Sequence, residues 1–344
     1  MNDTHDDWLA QHVETALEPD LAICDPHHHL WDRQDLPVSA PGERRYLLED
    51  LLTDTGSGHR VVSTVFVECR SEYRSAGPPE LQPVGETDFV ESVARSSLEI
   101  EGAETSVGAG IVSFADLRLG SRVAAVLEAH LAASPDRFRG IRHASGWDPS
   151  PEVRNSHTDP PHGLLGDRDF RRGFAELEAR GLSFDSWQYH HQLEELLGLA
   201  REFPGTTIVL DHVGGPLGIG PWSGRREEIF LHWSRSIVEL SGCANVVVKL
   251  GGLGMPICGF GHHKLPAPPS SEVLAAAWKP YILHCIESFG VDRCMFESNF
   301  PVDKRSCSYV VLWNAFKRIA EGFSGDEKRA LFCDTASRVY RLDR

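Results

Sequence analysis

The sequence predicts a distorted (β/α)8 TIM barrel with terminal extensions, and two observations support this fold class. The chain has 344 residues, of which 41% are hydrophobic, so it can build one barrel of about 250 residues with a sizeable core. Eight short apolar runs recur along the chain, most of them separated by segments with helical periodicity. This alternation is typical of parallel strands buried on both faces, and eight units favour a closed barrel over an open sheet.

The predicted elements follow each other in a regular order. The strands are Leu21–Cys24, Val61–Cys69, Ser106–Phe114, Phe138–Arg142, Leu182–Asp185, Thr206–Leu210, Asn245–Leu250 and Arg293–Glu297. The predicted helices are Gly120–Ala133, Phe170–Arg180, Gln192–Phe203, Glu227–Leu240, Val273–Phe289, Val310–Glu321 and Asp326–Tyr340. The strand segments are rich in Val, Ile and Thr, which favour pleated positions, whereas the helical segments repeat apolar residues every three to four positions.

Three irregular stretches follow predicted strands, and each is rich in Pro, Gly or His. They are Ala76–Gly85, Trp147–Gly166 and Gly254–Ser270. In a barrel, the loops after the strands form the rim that carries the active site, so we expect these stretches to cover a substrate. We expect residues 1–20 to be an N-terminal extension and residues 21–344 to form a single barrel domain.

The charge and the cysteine pattern exclude several classes of protein. A net charge of −16 argues against a nucleic-acid partner and against an anionic membrane surface. No apolar run approaches roughly 18 residues and the N-terminus is polar and acidic, so we expect neither a membrane span nor a signal peptide. The eight cysteines are scattered without a CxxC pair, which indicates a reduced cytoplasm. We expect a cytoplasmic protein with a small-molecule partner, either as a monomer or as a homo-oligomer.

Histidines cluster at the predicted rim: of the 17 in the chain, 11 lie at or beyond strand ends. The motif DPHHHLWD, residues 25–32, ends the first strand. Because side chains alternate in a strand, His27 and His29 should share one face and His28 the other. Two imidazoles at the mouth of a barrel suit a divalent metal or a substrate carbonyl, whereas a hydrogen-bonded cluster without chemistry is the alternative.

Two further motifs end the sixth and eighth strands. In LDHVGGP, residues 210–216, His212 can reach across the barrel mouth towards the first histidines, and Asp211 is expected to be its structural partner. In FESNFPVD, residues 296–303, alternation should place Glu297 and Asn299 on one face, with Asp303 in the loop beyond. A carboxylate here could deprotonate water or bind a metal, whereas an amide can do only weak versions of either.

These motifs, with VECRSEYR after the second strand and FRGIRH after the fourth, resemble the amidohydrolase superfamily. The resemblance covers about residues 21–342 and is strongest to the amidohydrolase-2 type, which includes 2-pyrone-4,6-dicarboxylate lactonase and sugar-acid lactonases. It implies that His27, His29 and His212 either bind a divalent metal (Zn or Mn) or polarise the substrate carbonyl without one. It also implies that Arg142 holds a substrate carboxylate with its guanidinium fork.

The sequence departs from the family at one position. The eighth strand of the family usually ends in Ser/Thr-Asp-Trp/Phe-Pro, and Asn299 stands where that Asp is expected. Because the family Asp binds the metal and activates water, this change affects both the metal and the general base. Glu297 is the candidate replacement, and Glu68, Asp185 and Asp303 are weaker ones.

We therefore expect a hydrolase that opens a lactone or related cyclic ester of a small, carboxylated substrate. Two alternatives are a metal-dependent decarboxylase of an aromatic acid and a barrel that binds a metabolite without catalysis. The expected catalytic residues are His27, His29, His212, Glu297 and Asn299, with the three histidines as ligands of any metal. The expected substrate contacts are Arg142, Arg70, Arg74, Tyr73 and Trp187, with Tyr189 as a further wall.

Overall fold

The structure, a computed structural model, describes residues 4–33, 44–102 and 104–342. Within these ranges, eight parallel strands form one sheet whose spatial order follows the chain. They are β1 (Ile23–His28), β2 (Val61–Val67), β3 (Ser106–Ser113), β4 (Phe138–Arg142), β5 (Ser183–Ser186), β6 (Ile208–Leu210), β7 (Val246–Leu250) and β8 (Cys294–Phe296). This architecture confirms the predicted barrel. The first strand runs further than expected, since it continues through His28 instead of ending at Cys24.

The barrel closes where β1 meets the residues that follow β8. The backbone N–H of Asn299 donates to the carbonyl oxygen of His27 at 2.9 Å, and that of His29 donates to the carbonyl oxygen of Phe300 at 2.8 Å. His28 and Phe300 also form an isolated parallel bridge. The motifs at the ends of the first and eighth strands are therefore hydrogen-bonded neighbours.

Helices surround the sheet in the order expected for strand–helix units. In the described ranges they are α1 (Thr4–Leu9), α2 (Leu48–Thr55), α3 (Val84–Leu98), α4 (Val123–Ala133), α5 (Arg168–Glu178), α6 (Leu193–Glu202), α7 (Arg226–Ser241), α8 (Ser271–Phe289), α9 (Tyr309–Ile319), α10 (Gly325–Arg329) and α11 (Thr335–Val339). The sequence patterns predicted neither α2 nor α3. The last predicted helix is divided, because a π-helical turn over Ala330–Asp334 separates α10 from α11.

Local capping explains where several of these helices begin. The Asp167 side chain accepts from the backbone N–H groups of Asp169 and Phe170 before α5. Ser270 and Ser308 cap α8 and α9 in the same way, each accepting from the N–H three residues later. Such caps satisfy N–H groups that have no partner inside the helix, and each stabilises its helix by about 1 kcal/mol.

The barrel interior is closed at one end by the C-terminal segment. Apolar side chains at seven strand positions pack there against a C-terminal plug made of the last helix and the residues after it. The strand residues are Cys24, Val65, Val67, Val112, Val209, Val247 and Met295, and the plug residues are Ala336, Val339, Tyr340 and Leu342. Gly110 leaves room for this plug, since a Cβ there would lie 3.1 Å from Leu342. Arg341 donates to the carbonyl oxygen of Arg139 at the start of β4, so the plug sits at the amino ends of the strands. The carboxyl ends are left for the polar residues.

The N-terminal segment packs on the outside of the barrel. Glu14 accepts from the backbone N–H of Ser271 and from the Asn314 side chain, at 2.7 and 2.9 Å. Residues 1–3, 34–43, 103 and 343–344 of the two predicted domain ranges lie outside the described residues, and the boundary at residue 20 stays a prediction. None of the described helices is both long and apolar enough to cross a membrane.

Candidate active site

Three histidine rings meet at the carboxyl ends of β1 and β6. The register of β1 is irregular between Asp25 and His28, and His28 turns outward to Thr64 Oγ1 at 2.9 Å. His27 lies on the opposite side, with its ring 5.0 Å from that of His29 and 4.6 Å from that of His212. His27, His29 and His212 are 0%, 4% and 3% exposed, respectively.

His212 depends on an unusual backbone and on a glycine. It follows β6 with a left-handed φ of 54°, and Val213 continues with a φ of 48°. Gly252 faces the imidazole after β7, and a Cβ at that position would lie 2.5 Å from His212 Nδ1. The glycine is required because its own φ of 68° and the close approach of the ring both exclude a larger residue.

Glu297, immediately after β8, links two of these rings. Its Oε2 lies 2.8 Å from His27 Nδ1, and its Oε1 lies 2.7 Å from His212 Nδ1. The Oε1 atom also accepts the backbone N–H of His212 at 3.0 Å. Burial alone would raise the pKa of Glu297, but the attraction of His212 and His27 lowers it to about 2. Glu297 is therefore an ionised acceptor that orients both rings.

These contacts assign which ring nitrogen carries the proton. If Nδ1 of His212 donates to Glu297, its Nε2 keeps a free lone pair. His29 Nδ1 lies 2.7 Å from the carbonyl oxygen of Val67, so Nε2 of His29 is free as well. This arrangement is that of a carboxylate–histidine pair in which the imidazole can accept a proton.

Arg142, at the end of β4, lies below the histidines and is 5% exposed. Its Nε donates to Glu68 Oε1 at 2.8 Å, and its Nη1 donates to His27 Nε2 at 3.2 Å. Nη2 donates to the carbonyl oxygen of Glu68. Each of the three nitrogens forms one bond within the protein, which leaves two of the five N–H groups. The carboxylate contact expected from the sequence therefore stays a prediction, and the structure adds a contact of Arg142 with His27.

Asn299 faces a different partner from Glu297. The strand ends at Phe296 and Asn299 has a left-handed φ of 54°, so the alternation that placed both residues on one face does not extend this far. The Asn299 amide donates to Asp303 Oδ1 at 3.0 Å, and the N–H of Gly254 donates to Oδ2 at 3.0 Å. Burial raises the pKa of Asp303 to about 7, although His212 opposes that shift.

The expected substrate contacts fall into separate places. Trp187 packs edge-on against His212, with ring centroids 4.8 Å apart, and Tyr189 packs against Trp187. Arg70 and Tyr73 line a rim cavity of about 350 Å³. Arg74 does not line that cavity and pairs with Asp88 at 2.7 Å on the surface.

This cavity is joined to the histidines by a chain of polar contacts. His157, from the loop after β4, lines the cavity and lies 2.9 Å from Glu68 Oε2. Glu68 in turn holds Arg142, which contacts His27. The sequence pattern favoured an ordinary exposed role for His157, because a loop histidine carries no local sign of a partner more than 80 residues away.

Lys249, the penultimate residue of β7, contacts the histidine centre, although the sequence patterns did not single it out. It is fully buried, and its Nζ lies 2.6 Å from Asp185 Oδ2, 3.1 Å from Asp211 Oδ1 and 3.2 Å from His27 Nδ1. A lysine inside the apolar run NVVVKL was the available signal, since buried lysines are rare without a partner.

His27, His212 and Glu297 have the ligand types of a zinc site, with donor atoms within 4.8 Å of one another. His27 is poorly placed to bind a metal, however, because Arg142 Nη1 lies 3.2 Å from its Nε2 and the Lys249 ammonium lies 3.2 Å from its Nδ1. Binding an ion through His27 Nδ1 would move its proton to Nε2, where the N–H would face the Nη1 donor of Arg142. The Lys249 ammonium beside Nδ1 opposes a second cation further.

The fold and this site define a class of protein: a parallel barrel enzyme with a histidine–carboxylate centre at the carboxyl ends of its strands. The chain belongs to the amidohydrolase family, since the family model described as Amidohydrolase matches residues 24–342. This confirms the resemblance found in the sequence.

Relatives cover most of the chain. It is 35% identical over 343 residues to the protein y4mH of Sinorhizobium fredii, which covers 94% of this chain and 99% of that protein. It is 28% identical over 287 residues to an L-fucono-1,5-lactonase of Burkholderia ambifaria, covering 79% of this chain and 87% of the lactonase. A solved amidohydrolase from Burkholderia multivorans with bound zinc aligns with a TM-score of 0.70 and 25% identity, over 94% of this chain and 100% of that one.

Proposed function

We propose that this protein hydrolyses a lactone or related cyclic ester of a small anionic substrate, with His212 as the general base. The carrying observation is that Glu297 accepts Nδ1–H of His212 at 2.7 Å, which leaves Nε2 for a proton from water. The similarity to L-fucono-1,5-lactonases supports the same reaction class. This assigns to His212 the role that the sequence suggested for Glu297.

The reaction follows from these positions. Nε2 of His212 takes a proton from water, and the resulting hydroxide adds to the lactone carbonyl carbon. The imidazolium that forms is stabilised by the Glu297 carboxylate, as in other carboxylate–histidine pairs. When the tetrahedral intermediate collapses, the ring C–O bond breaks and His212 returns its proton to the leaving oxygen, which gives a hydroxy acid.

Other residues of the centre hold charge and geometry. His27 is neutral, because burial and then the Lys249 ammonium lower its pKa, and it separates two cations, Lys249 and Arg142. Their positive charges favour the negative charge that develops on the carbonyl oxygen. His29 Nε2 can accept a hydrogen bond from the attacking water or from a substrate hydroxyl.

The rim cavity that His157 and Glu68 link to the histidines offers contacts for an anion. Arg70 donates to the carbonyl oxygen of His157 at 3.0 Å through one nitrogen, which leaves its other N–H groups for a substrate carboxylate. The Tyr73 hydroxyl is buried at this cavity without a hydrogen-bond partner in the described part of the chain. Trp187 provides an apolar wall next to His212.

A panel of carboxylated pyrones and sugar-acid lactones, followed by acid release, tests this function. We expect hydrolysis of at least one compound, and a fall in kcat of about 10²–10⁴ for His212→Asn. His190→Asn is the matched control, because His190 is also a buried rim histidine, but its ring accepts only from the backbone N–H of Leu217 among hydrogen-bond partners in the described chain. Release of CO₂ from an aromatic acid, or an unchanged rate in His212→Asn, would overturn the proposal.

A further inference from the structure

A line of buried polar groups runs below His27 to the C-terminal segment. Lys249 Nζ lies 3.2 Å from His27 Nδ1 and 2.6 Å from Asp185 Oδ2. The Tyr340 hydroxyl, which follows α11, donates to the same Asp185 oxygen at 2.6 Å. All four residues are 0% exposed. The line therefore joins the reacting end of the barrel to the plug at its other end.

Burying these charged groups would be energetically unfavourable if their only role were to stabilise the fold. Burying an ammonium and a carboxylate removes both from water, and well-packed apolar residues of similar size are often as stable or more so. Asp211 adds a second carboxylate 3.1 Å from Lys249 Nζ. Burial raises the pKa of Asp211, but attraction to the Lys249 ammonium outweighs this and keeps it well below its usual range. The barrel interior below the histidines thus holds three charged groups where β-branched residues would pack.

The position of Lys249 explains what these charges do. Its ammonium contacts the Nδ1 edge of His27, while Arg142 contacts the opposite Nε2 atom at 3.2 Å. Because Nε2 accepts from Arg142, Nδ1 carries the ring proton, so Lys249 acts on His27 through its charge, while Glu297 Oε2 lies 2.8 Å from Nδ1. Since Glu297 also orients His212, a displaced Lys249 would shift the carboxylate that aligns the base.

The strand alone does not fix the Lys249 side chain. Asp185 comes from β5 and Tyr340 from the C-terminal plug, so Lys249 is held by elements that are distant in sequence. The Tyr340 ring also faces the ammonium, with Nζ 5.4 Å from its centroid. We propose that Lys249 is a positioning residue for the reaction and that Tyr340, through Asp185, makes the C-terminal segment part of the active centre. This inference rests on the proposed function for its kinetic consequence.

Tyr340→Phe is the decisive variant, because it removes one hydroxyl and keeps the ring in the plug. Tyr46→Phe is its matched control, since the buried Tyr46 hydroxyl donates to Asp54 at 2.7 Å, outside the Lys249 network. We expect both variants to lose a similar amount of thermal stability. Only Tyr340→Phe should lower kcat, by about 10-fold or more, with KM within twofold of the parent. Equal kcat values in the two variants would overturn the inference.

A second readout does not require a substrate. In protein labelled with ¹⁵N-histidine, the ring signals of His27 can be identified by their loss in His27→Asn. We expect Tyr340→Phe and Asp185→Asn to move the His27 and His212 ring signals, whereas Tyr46→Phe leaves them in place. Unmoved signals in both test variants would overturn the positioning role. If the signals move but no lactone is hydrolysed, the positioning inference stands and the proposed function fails.

Discussion

Asn299 supports a carboxylate instead of supplying one. Its amide donates to Asp303 at 3.0 Å, so the residue that departs from the family motif is fitted to a buried acid four positions later. We predict that Asn299→Asp destabilises the protein, because two carboxyl groups would then share this buried site and ionisation of both is energetically unfavourable. The loss of Tm should be several degrees at pH 8 and smaller at pH 5, where one of the acids is protonated, as measured by thermal unfolding.

The exchange of both residues provides the control. Asn299→Asp with Asp303→Asn restores one acid and one amide across the same contact, so we expect most of the lost Tm to return. A single variant Asn299→Asp that is as stable as the parent at both pH values would show that the Asn299–Asp303 contact is unimportant.

The contacts of His27 lead to a prediction about whether the activity requires a metal. Because its Nε2 accepts from Arg142 and its Nδ1 faces Glu297 and Lys249, the proposed mechanism uses no metal at His27. We predict that protein dialysed against a chelator, with less than one tenth of an equivalent of Zn or Mn by elemental analysis, keeps its rate within twofold. Loss of activity on chelation, with recovery on adding zinc, would contradict this.

At the scale of elements, the sequence predicted more of the fold than of the site. Buried strands with β-branched runs and helices with apolar periodicity can be identified locally, so the eight strands were found with small errors at their ends. Three helices were missed: α1 and α2 have only six and eight residues, and α3 begins inside the stretch Ala76–Gly85 that was assigned to a rim loop. His27, His29 and His212 could be placed because strand ends meet at one rim of a barrel.

The pairing of side chains inside the barrel could not be predicted in this way. Alternation assigns a face, but it does not say that Glu297 reaches two histidines or that Arg142 is committed to Glu68. Lys249 and Tyr340 meet through Asp185 although 91 residues separate them in the chain. Such contacts depend on strand register and on how the plug packs, and neither leaves a local pattern.

Gly252, in the turn after β7, leads to a prediction about what holds the His212 ring in place. Gly252 has a φ of 68°, and an added Cβ would lie 2.5 Å from the His212 ring. Gly181 is the matched control, with a φ of 61° and nothing within 4 Å of an added Cβ. We expect Gly181→Ala to cost about 1 kcal/mol of stability from backbone strain, and Gly252→Ala to cost more because the added Cβ also meets the His212 ring. Only Gly252→Ala should also lower kcat, by about 10-fold or more, because it displaces His212.

Equal kcat values for Gly252→Ala and Gly181→Ala would contradict the assigned position of His212. A crystal structure of Gly252→Ala would then be expected to show the ring unmoved.

For the whole molecule, we expect the free energy of unfolding to depend on pH through buried acids that have no positively charged partner. Glu86, on α3, accepts from the backbone N–H groups of Cys69 and Ser71, while its Oε2 has no partner in the described residues. Burial, with some repulsion from Glu68, raises the pKa of Glu86 to about 8. Glu91 on the same helix has a lowered pKa: burial opposes the shift, but hydrogen bonds from Ser134 and Arg95 outweigh it.

Because the pKa values of Glu86 and Glu91 are shifted in opposite directions, a prediction about Glu86 can use Glu91 as its control. A raised pKa means that Glu86 stabilises the fold fully below about pH 4.5, and that this contribution is lost as the pH rises towards 8. The free energy of unfolding of the parent should therefore fall, relative to Glu86→Gln, by up to about 1.4 kcal/mol per pH unit between pH 5 and 8. The parent and Glu91→Gln should differ by a constant amount over this range, because Glu91 is already ionised at pH 5. Urea unfolding at each pH measures both differences, and parallel curves for the parent and Glu86→Gln would show that Glu86 is ionised throughout.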